Sequence, residues 1–221
     1  GVYLMNAGDT VIDVINKAGG YTDTAYPFGA IYTNLETELI NTTALEKLYK
    51  DSINSISQLI KETGSEADFS GLISTLNTLK DTEPSGRVVI DLENNDSGSL
   101  LIQEEDTLFI PEITNQVYVY GSVSSQGTAK YYEGEGVDYY INKKGGFVDK
   151  ANKDGIFILQ PNGETVKVKI SKNLFASSPT AKTKIYPGSV IYVPEQINSG
   201  YAARLSTQAY AAILGNIGVS L

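Results

Sequence analysis

The sequence has no cysteine, no histidine and no tryptophan, and a single methionine in 221 residues. Without thiolate or imidazole there is no cysteine nucleophile, no imidazole proton relay, no zinc site built on nitrogen or sulfur, and no iron–sulfur cluster. The absence of cysteine fits an oxidising compartment without assigning one. Cations are also in short supply: 17 Lys and Arg stand against 26 Asp and Glu, a formal charge of −9. Binding a phosphate backbone needs a positive stripe that releases counterions, so no nucleic-acid partner is expected. Position 1 is Gly rather than Met, and no apolar signal segment opens the chain. A further N-terminal portion is therefore expected to precede it.

What is present is a globular composition, 41% hydrophobic and 19% charged, organised around a repeat. Sliding residues 1–32 onto 127–158 without a gap pairs identical residues at Gly1/Gly127, Gly8/Gly134, Val11/Val137, Ile15/Ile141, Asn16/Asn142, Lys17/Lys143, Gly19/Gly145, Gly20/Gly146, Asp23/Asp149, Ala25/Ala151 and Gly29/Gly155. Unrelated segments of that length would share only about 2, so the chain carries an internal duplication. Two copies imply tandem domains. In the first copy Val11, Val14, Ile15 and Ala18 lie at i, i+3, i+4 and i+7 and predict a short helix. Asp9 or Thr10 can cap its start, and Gly19-Gly20 supplies the positive φ that ends it. Phosphate-binding glycines precede a helix, whereas these follow one, so no phosphate loop is predicted.

The remaining segments read as strands about these helices. Val2–Met5, Ala30–Thr33, Arg87–Leu92 and Thr107–Ile110 are expected in the first domain, and Val117–Val123, Thr128–Tyr132, Gly155–Leu159, Thr165–Ile170 and Ser189–Val193 in the second. Each final strand is closed by Pro-Glu, at 111–112 and 194–195. The first domain has no counterpart of Val117–Val123 at its front, so its first strand is expected to be missing. Residues 41–85 have no equivalent in the second copy. Leu45, Leu48, Tyr49, Ile53, Ile56, Leu59 and Ile60, then Phe69, Leu72, Ile73, Leu76 and Leu79, fall at helical spacing around a break at Gly64-Ser65. They predict an inserted helical hairpin, either a packed decoration or a surface for subunit contact. From Leu205 to Leu221 no side chain is charged. Ala202, Leu205, Ala209, Ile213 and Ile217 form one stripe of an amphipathic helix, with Arg204 and Gln208 opposite. Three fates stand open for this segment: packing on the domains or a neighbouring subunit, a share in a membrane-crossing helical barrel, or a disordered tail.

The order strand, strand, helix, strand, strand, strand resembles the β-grasp. The pattern G-x-x-V-x-x-x-I-N-K-x-G-G-x-x-D, the hairpin V-Y-V-Y-G-S-V with Gly127, and the closing V-I-Y-V-P-E are similar to the soluble-ligand-binding β-grasp (SLBB) family. Two such units, with a helical insertion before G-R-V-V-I-D-L, resemble the periplasmic part of Wza-like outer-membrane polysaccharide export proteins. The resemblance implies an α+β fold of two tandem SLBB β-grasp domains, at 1–113 (insertion about 41–85) and 114–197, followed by a C-terminal amphipathic helix or tail at 198–221. It further implies a non-enzymatic periplasmic, outer-membrane-associated component of capsule or exopolysaccharide export in a Gram-negative bacterium. Its partners would be further copies of itself in a ring, the polysaccharide, and an inner-membrane export or co-polymerase protein; no cofactor, metal or catalytic residue is implied. Gln126-Gly127 stands where the family's hairpin usually carries Pro-Gly.

Fifteen tyrosines suit sugar stacking. Tyr118, Tyr120, Tyr131 and Tyr132, on one predicted hairpin, are the candidate glycan or partner contacts, although tyrosine is also a common strand residue. Glu104-Glu105-Asp106 precedes a strand, where solvated charge explains it better than paired catalytic carboxylates or a calcium site. Two further classes of function stand beside the conduit: a periplasmic glycan-binding module that forms no ring, and a polysaccharide-acting enzyme.

Overall fold

The computed structural model describes residues 1–63, 69–94, 98–170, 183–197 and 200–217. It is a mixed α+β fold with two sheets and five helices among those residues. The elements run α1 (Val11–Lys17), a 3-10 turn (Pro27–Gly29), β1 (Ile31–Thr33), α2 (Leu35–Thr63), α3 (Ser70–Asp81), β2 (Arg87–Val88), β3 (Thr107–Phe109), β4 (Gln116–Gly121), β5 (Gly127–Lys130), α4 (Val137–Lys143), β6 (Ile156–Leu159), β7 (Thr165–Val168), β8 (Val190–Val193) and α5 (Gly200–Ile217).

The repeat in the sequence is repeated in the geometry. Helices α1 and α4 occupy matching positions, and each ends in the same way. Gly19 donates to Asn16 O at 3.1 Å and Gly20 to Ile15 O at 2.9 Å; Gly145 donates to Asn142 O and Gly146 to Ile141 O, both at 3.0 Å. These are paired carbonyl caps that need two left-handed residues, with φ between +81° and +97° at the four glycines. The ladders match too. Ile31 faces Phe109 and Tyr32 faces Leu108, as Phe157 faces Tyr192 and Ile158 faces Ile191. Tyr32 also faces Val88 as Ile158 faces Val166. Val11, Ile15, Ala30 and Tyr32 form one small core with Leu108 and Ile110, and Val137, Ile141, Ile156 and Ile158 form the other with Ile191 and Val193.

The sheets differ in extent. The second has five strands in the order β5-β4-β8-β6-β7, with β4 parallel to β8; the first has three, β2-β1-β3. Among the described residues nothing pairs with the outer edge of β3, the place that β4 takes beside β8. Val2–Met5, expected as a strand, is not one: Val2 and Leu4 are fully exposed. The equivalent β5 pairs with β4, whereas among the described residues Val2–Met5 has no ladder partner. Arg87–Leu92 likewise forms a ladder only at Arg87 and Val88, because β1 is three residues long; Ile90 and Leu92 instead bury into the core.

The helical hairpin is present but begins earlier than residue 41. Asn34 starts it: its Oδ1 accepts from the Thr37 amide at 3.0 Å, so α2 runs from Leu35. The break at Gly64-Ser65 lies outside the described residues. The two hairpin helices do not complete their core alone. Leu45 and Ile56 of α2 and Leu72, Leu76 and Leu79 of α3 bury against Ala202, Leu205, Ala209 and Ile213 of α5. Helix α5 is buried on a second flank as well, through Ser206 and Leu214, and its Tyr210 meets Phe157 and Tyr192 of the second sheet. Burial on two flanks explains why so long a helix carries no charge after Arg204. Among the described residues no helix is long and apolar enough to cross a membrane.

Candidate functional site

Period-2 alternation divides the strands of the second sheet. Val117 and Val119 of β4 turn towards α4 and are fully buried, so Tyr118 and Tyr120 turn outward and are half-buried. Parallel pairing then sets Tyr120 beside Tyr192, and antiparallel pairing sets Tyr192 beside Phe157. An aromatic row crosses the outer face of three adjacent strands. Tyr210 of α5 packs over it, its ring centroid 5.2 Å from Tyr192 and 6.3 Å from Phe157.

Beside this row, α3 and α5 leave a cleft of about 750 Å³ against the ends of β4 and β8. Tyr120, Tyr192 and Tyr210 line it, with hydroxyls of Ser74, Thr75 and Thr78 from α3 and Ser122, Gln126 and Glu195 from the sheet side. The Thr75 hydroxyl donates to Gly71 O at 2.9 Å and is hydrogen-bonded to the Tyr210 hydroxyl at 3.1 Å, which fixes the phenol. Burial raises the pKa of Tyr192, so its phenol stays protonated and able to donate. The cleft floor at Gly121 is held against the Val193 carbonyl, with φ +88°.

A smaller cavity of about 240 Å³ lies between the two sheets, lined among others by Tyr26, Arg87, Phe109, Tyr118 and Gln160. Arg87 of β2 donates to the Pro161 carbonyl of the second sheet's hairpin, and burial depresses its pKa to about 10. Phe28 stacks on Tyr186 with centroids 4.1 Å apart, a second link between the repeats. Among the described residues the buried Tyr26 hydroxyl has no hydrogen-bond partner, and burial raises its pKa.

The four tyrosines singled out in the sequence therefore do not converge. Tyr118 opens to the smaller cavity and Tyr120 to the cleft. Tyr131 packs on the α4 core. Tyr132 is exposed, edge-on to Tyr139 at 5.9 Å and beneath the Lys130 ammonium at 5.5 Å. Its backbone amide donates to the Tyr140 hydroxyl at 3.0 Å, and that hydroxyl donates to its carbonyl at 3.1 Å, pinning α4 to the end of β5. Sequence reasoning missed Tyr192 and Tyr210. The first carries a signal, since V-Y-V-Y and V-I-Y-V place tyrosine at matching outward positions of paired strands; the second sits on the flank of α5 next to the obvious stripe.

The acidic run also differs from a purely solvated turn. Asp106 accepts hydrogen bonds from the Tyr32 hydroxyl, from Asn34 Nδ2 at 2.7 Å and from the Gln103 amide at 2.7 Å, so this carboxylate organises the turn before β3. Among the described residues no group of three or more acidic side chains is placed to hold a metal ion.

Comparison with known proteins places this architecture. The SLBB domain model matches residues 1–30, the opening of the first repeat, and 116–169, most of the second. Two polysialic acid transport proteins KpsD of Escherichia coli are each 28% identical to the chain over 135 residues, covering 61% of it and 24% of the relative. The chain thus carries SLBB-type sequence in both repeats and is similar to these polysaccharide transport proteins. It spans about a quarter of the length of the curated relatives it matches.

Proposed function

We propose that the chain is a non-enzymatic component of capsule or exopolysaccharide export, acting as masonry for a conduit. In this reading residues 1–113 and 114–197 are two tandem SLBB β-grasp domains, the first carrying the α2–α3 insertion. Copies of the chain pack side by side in a closed, heterologous ring in the periplasm, against the outer membrane, and an inner-membrane export or co-polymerase protein hands over the polymer. The observation that carries the proposal is the repeated register: the same helix, caps and strand partners recur in both halves, and the SLBB match falls on both. The naming of the KpsD relatives for polysialic acid transport supports a polysaccharide cargo. The acidic balance suits a wall that does not retain an anionic polymer.

Native mass spectrometry and electron microscopy of the full-length protein in detergent test the ring. A single closed oligomer is expected. A strictly monomeric protein that binds oligosaccharide would instead make it a periplasmic glycan-binding module, and turnover of polysaccharide abolished by replacing one carboxylate would make it an enzyme.

A further inference from the structure

The cleft between α3, α5 and the second sheet is made by parts that the SLBB repeat does not supply. Its α3 wall comes from the insertion, which the second repeat lacks, and its roof from α5, which follows the last strand. The chemistry of this recess is thus set by the insertion and the last helix as well as by the sheet. That chemistry has two halves. Tyr120 and Tyr192 present a row of rings on the sheet, and Tyr210 stands over Tyr192 at 46° to it. Such faces stack on the apolar C–H face of a sugar ring. Around them, the exposed Ser74 and Thr78 of α3 and Gln126 of the β4–β5 turn offer donors and acceptors of the kind that pair with sugar hydroxyls.

Charge selects among sugars. Of the described residues lining the cleft, Glu195 is the only charged one, and neither Lys nor Arg is among them. A sialic acid or uronic acid carboxylate placed here would meet a like charge with no cation to offset it. We infer that the cleft is a binding site for a short, uncharged stretch of oligosaccharide. Its volume of about 750 Å³ is in the size range of small-ligand sites. This rests on the reading of the chain as a polysaccharide export component, and adds that the cargo is gripped at a defined place and through neutral sugars.

The full chain is screened against an array of neutral and acidic bacterial oligosaccharides, and hits are measured by titration calorimetry. Neutral glycans are expected to bind, with affinity at least about tenfold weaker in Tyr120→Ala, which removes a stacking face, by the order of loss usual for a truncated aromatic contact. Ser74→Trp blocks the cleft from the exposed surface of α3 and should abolish binding with an unchanged melting temperature, which keeps the test decisive if Tyr120→Ala folds poorly. Binding of no neutral glycan, a preference for acidic ones, or binding indifferent to Ser74→Trp each overturns the site. Rings that assemble from a chain binding no glycan remove the cleft and leave the conduit; neutral glycan bound by a chain that forms no ring supports the cleft and removes the conduit.

Discussion

Tyr210 of α5 stands over Tyr192 of β8, ring centroids 5.2 Å apart, while its hydroxyl is hydrogen-bonded to the hydroxyl of Thr75 of α3 at 3.1 Å. One side chain thus joins the inserted hairpin, the last helix and the second sheet. Tyr210→Phe should cost about 1 kcal/mol, the net worth of a typical hydrogen bond. Tyr210→Ala should cost about 2–4 kcal/mol by loss of packing. Urea denaturation measures both, and equal losses in the two variants would show that the ring contacts contribute nothing.

Glycine positions that look alike in sequence should differ in tolerance. Gly146 has φ +81° and open space where a Cβ would project, so Gly146→Ala should cost about 1–2 kcal/mol of left-handed strain alone. Gly121 has φ +88° and lies against the backbone of β8, where a Cβ would fall on the Val193 carbonyl oxygen. Gly121→Ala should therefore lose more, because the β4–β8 pairing itself must shift. Thermal melts of the two variants give the comparison.

Asn34 both caps α2 and holds Asp106, through Thr37 N to Oδ1 at 3.0 Å and through Nδ2 to Oδ1 of the aspartate at 2.7 Å. Asn34→Ala should destabilise the protein by about 1–2 kcal/mol, and amide exchange should accelerate in the first turn of α2 before it does elsewhere.

Acid should weaken the first repeat through Asp13. The Thr10 hydroxyl donates to this carboxylate at 2.7 Å and the Thr10 amide at 2.8 Å, and these bonds hold its pKa below the ordinary carboxylate value. A depressed carboxylate pKa contributes stability above its unfolded value of ~3.9 and loses it as pH falls through the folded one. The urea midpoint should decline with pH below about 4, and Asp13→Asn should flatten that decline.

The sequence makes some of these features legible and hides others for physical reasons. The repeat, both glycine-capped helices, most strands of the second sheet and the inserted hairpin are local or periodic signals, and they stand where the spacing puts them. Val2–Met5 has strand-like residues but no ladder partner, and a strand is a property of pairs. The start of α2 was hidden in Asn34, a cap visible only once Asp106 is seen to orient it. Helix α5 shows one stripe in sequence because Ala202, Leu205, Ala209 and Ile213 are apolar. Its second buried flank is Ser206, Tyr210 and Leu214, whose mixed character gives no periodic signal. The cleft was invisible for that reason, and because it is assembled from residues scattered along the chain from Gly71 to Leu214.

Among the described residues the first sheet stops at β3. Three residues, Thr107 to Phe109, offer amides and carbonyls to whatever passes, with a bare phenylalanine ring beside them and no lysine or proline inside the strand to deter a visitor. A solution of this chain thus contains a latent seam, and crowding it will encourage molecules to stitch together along that line.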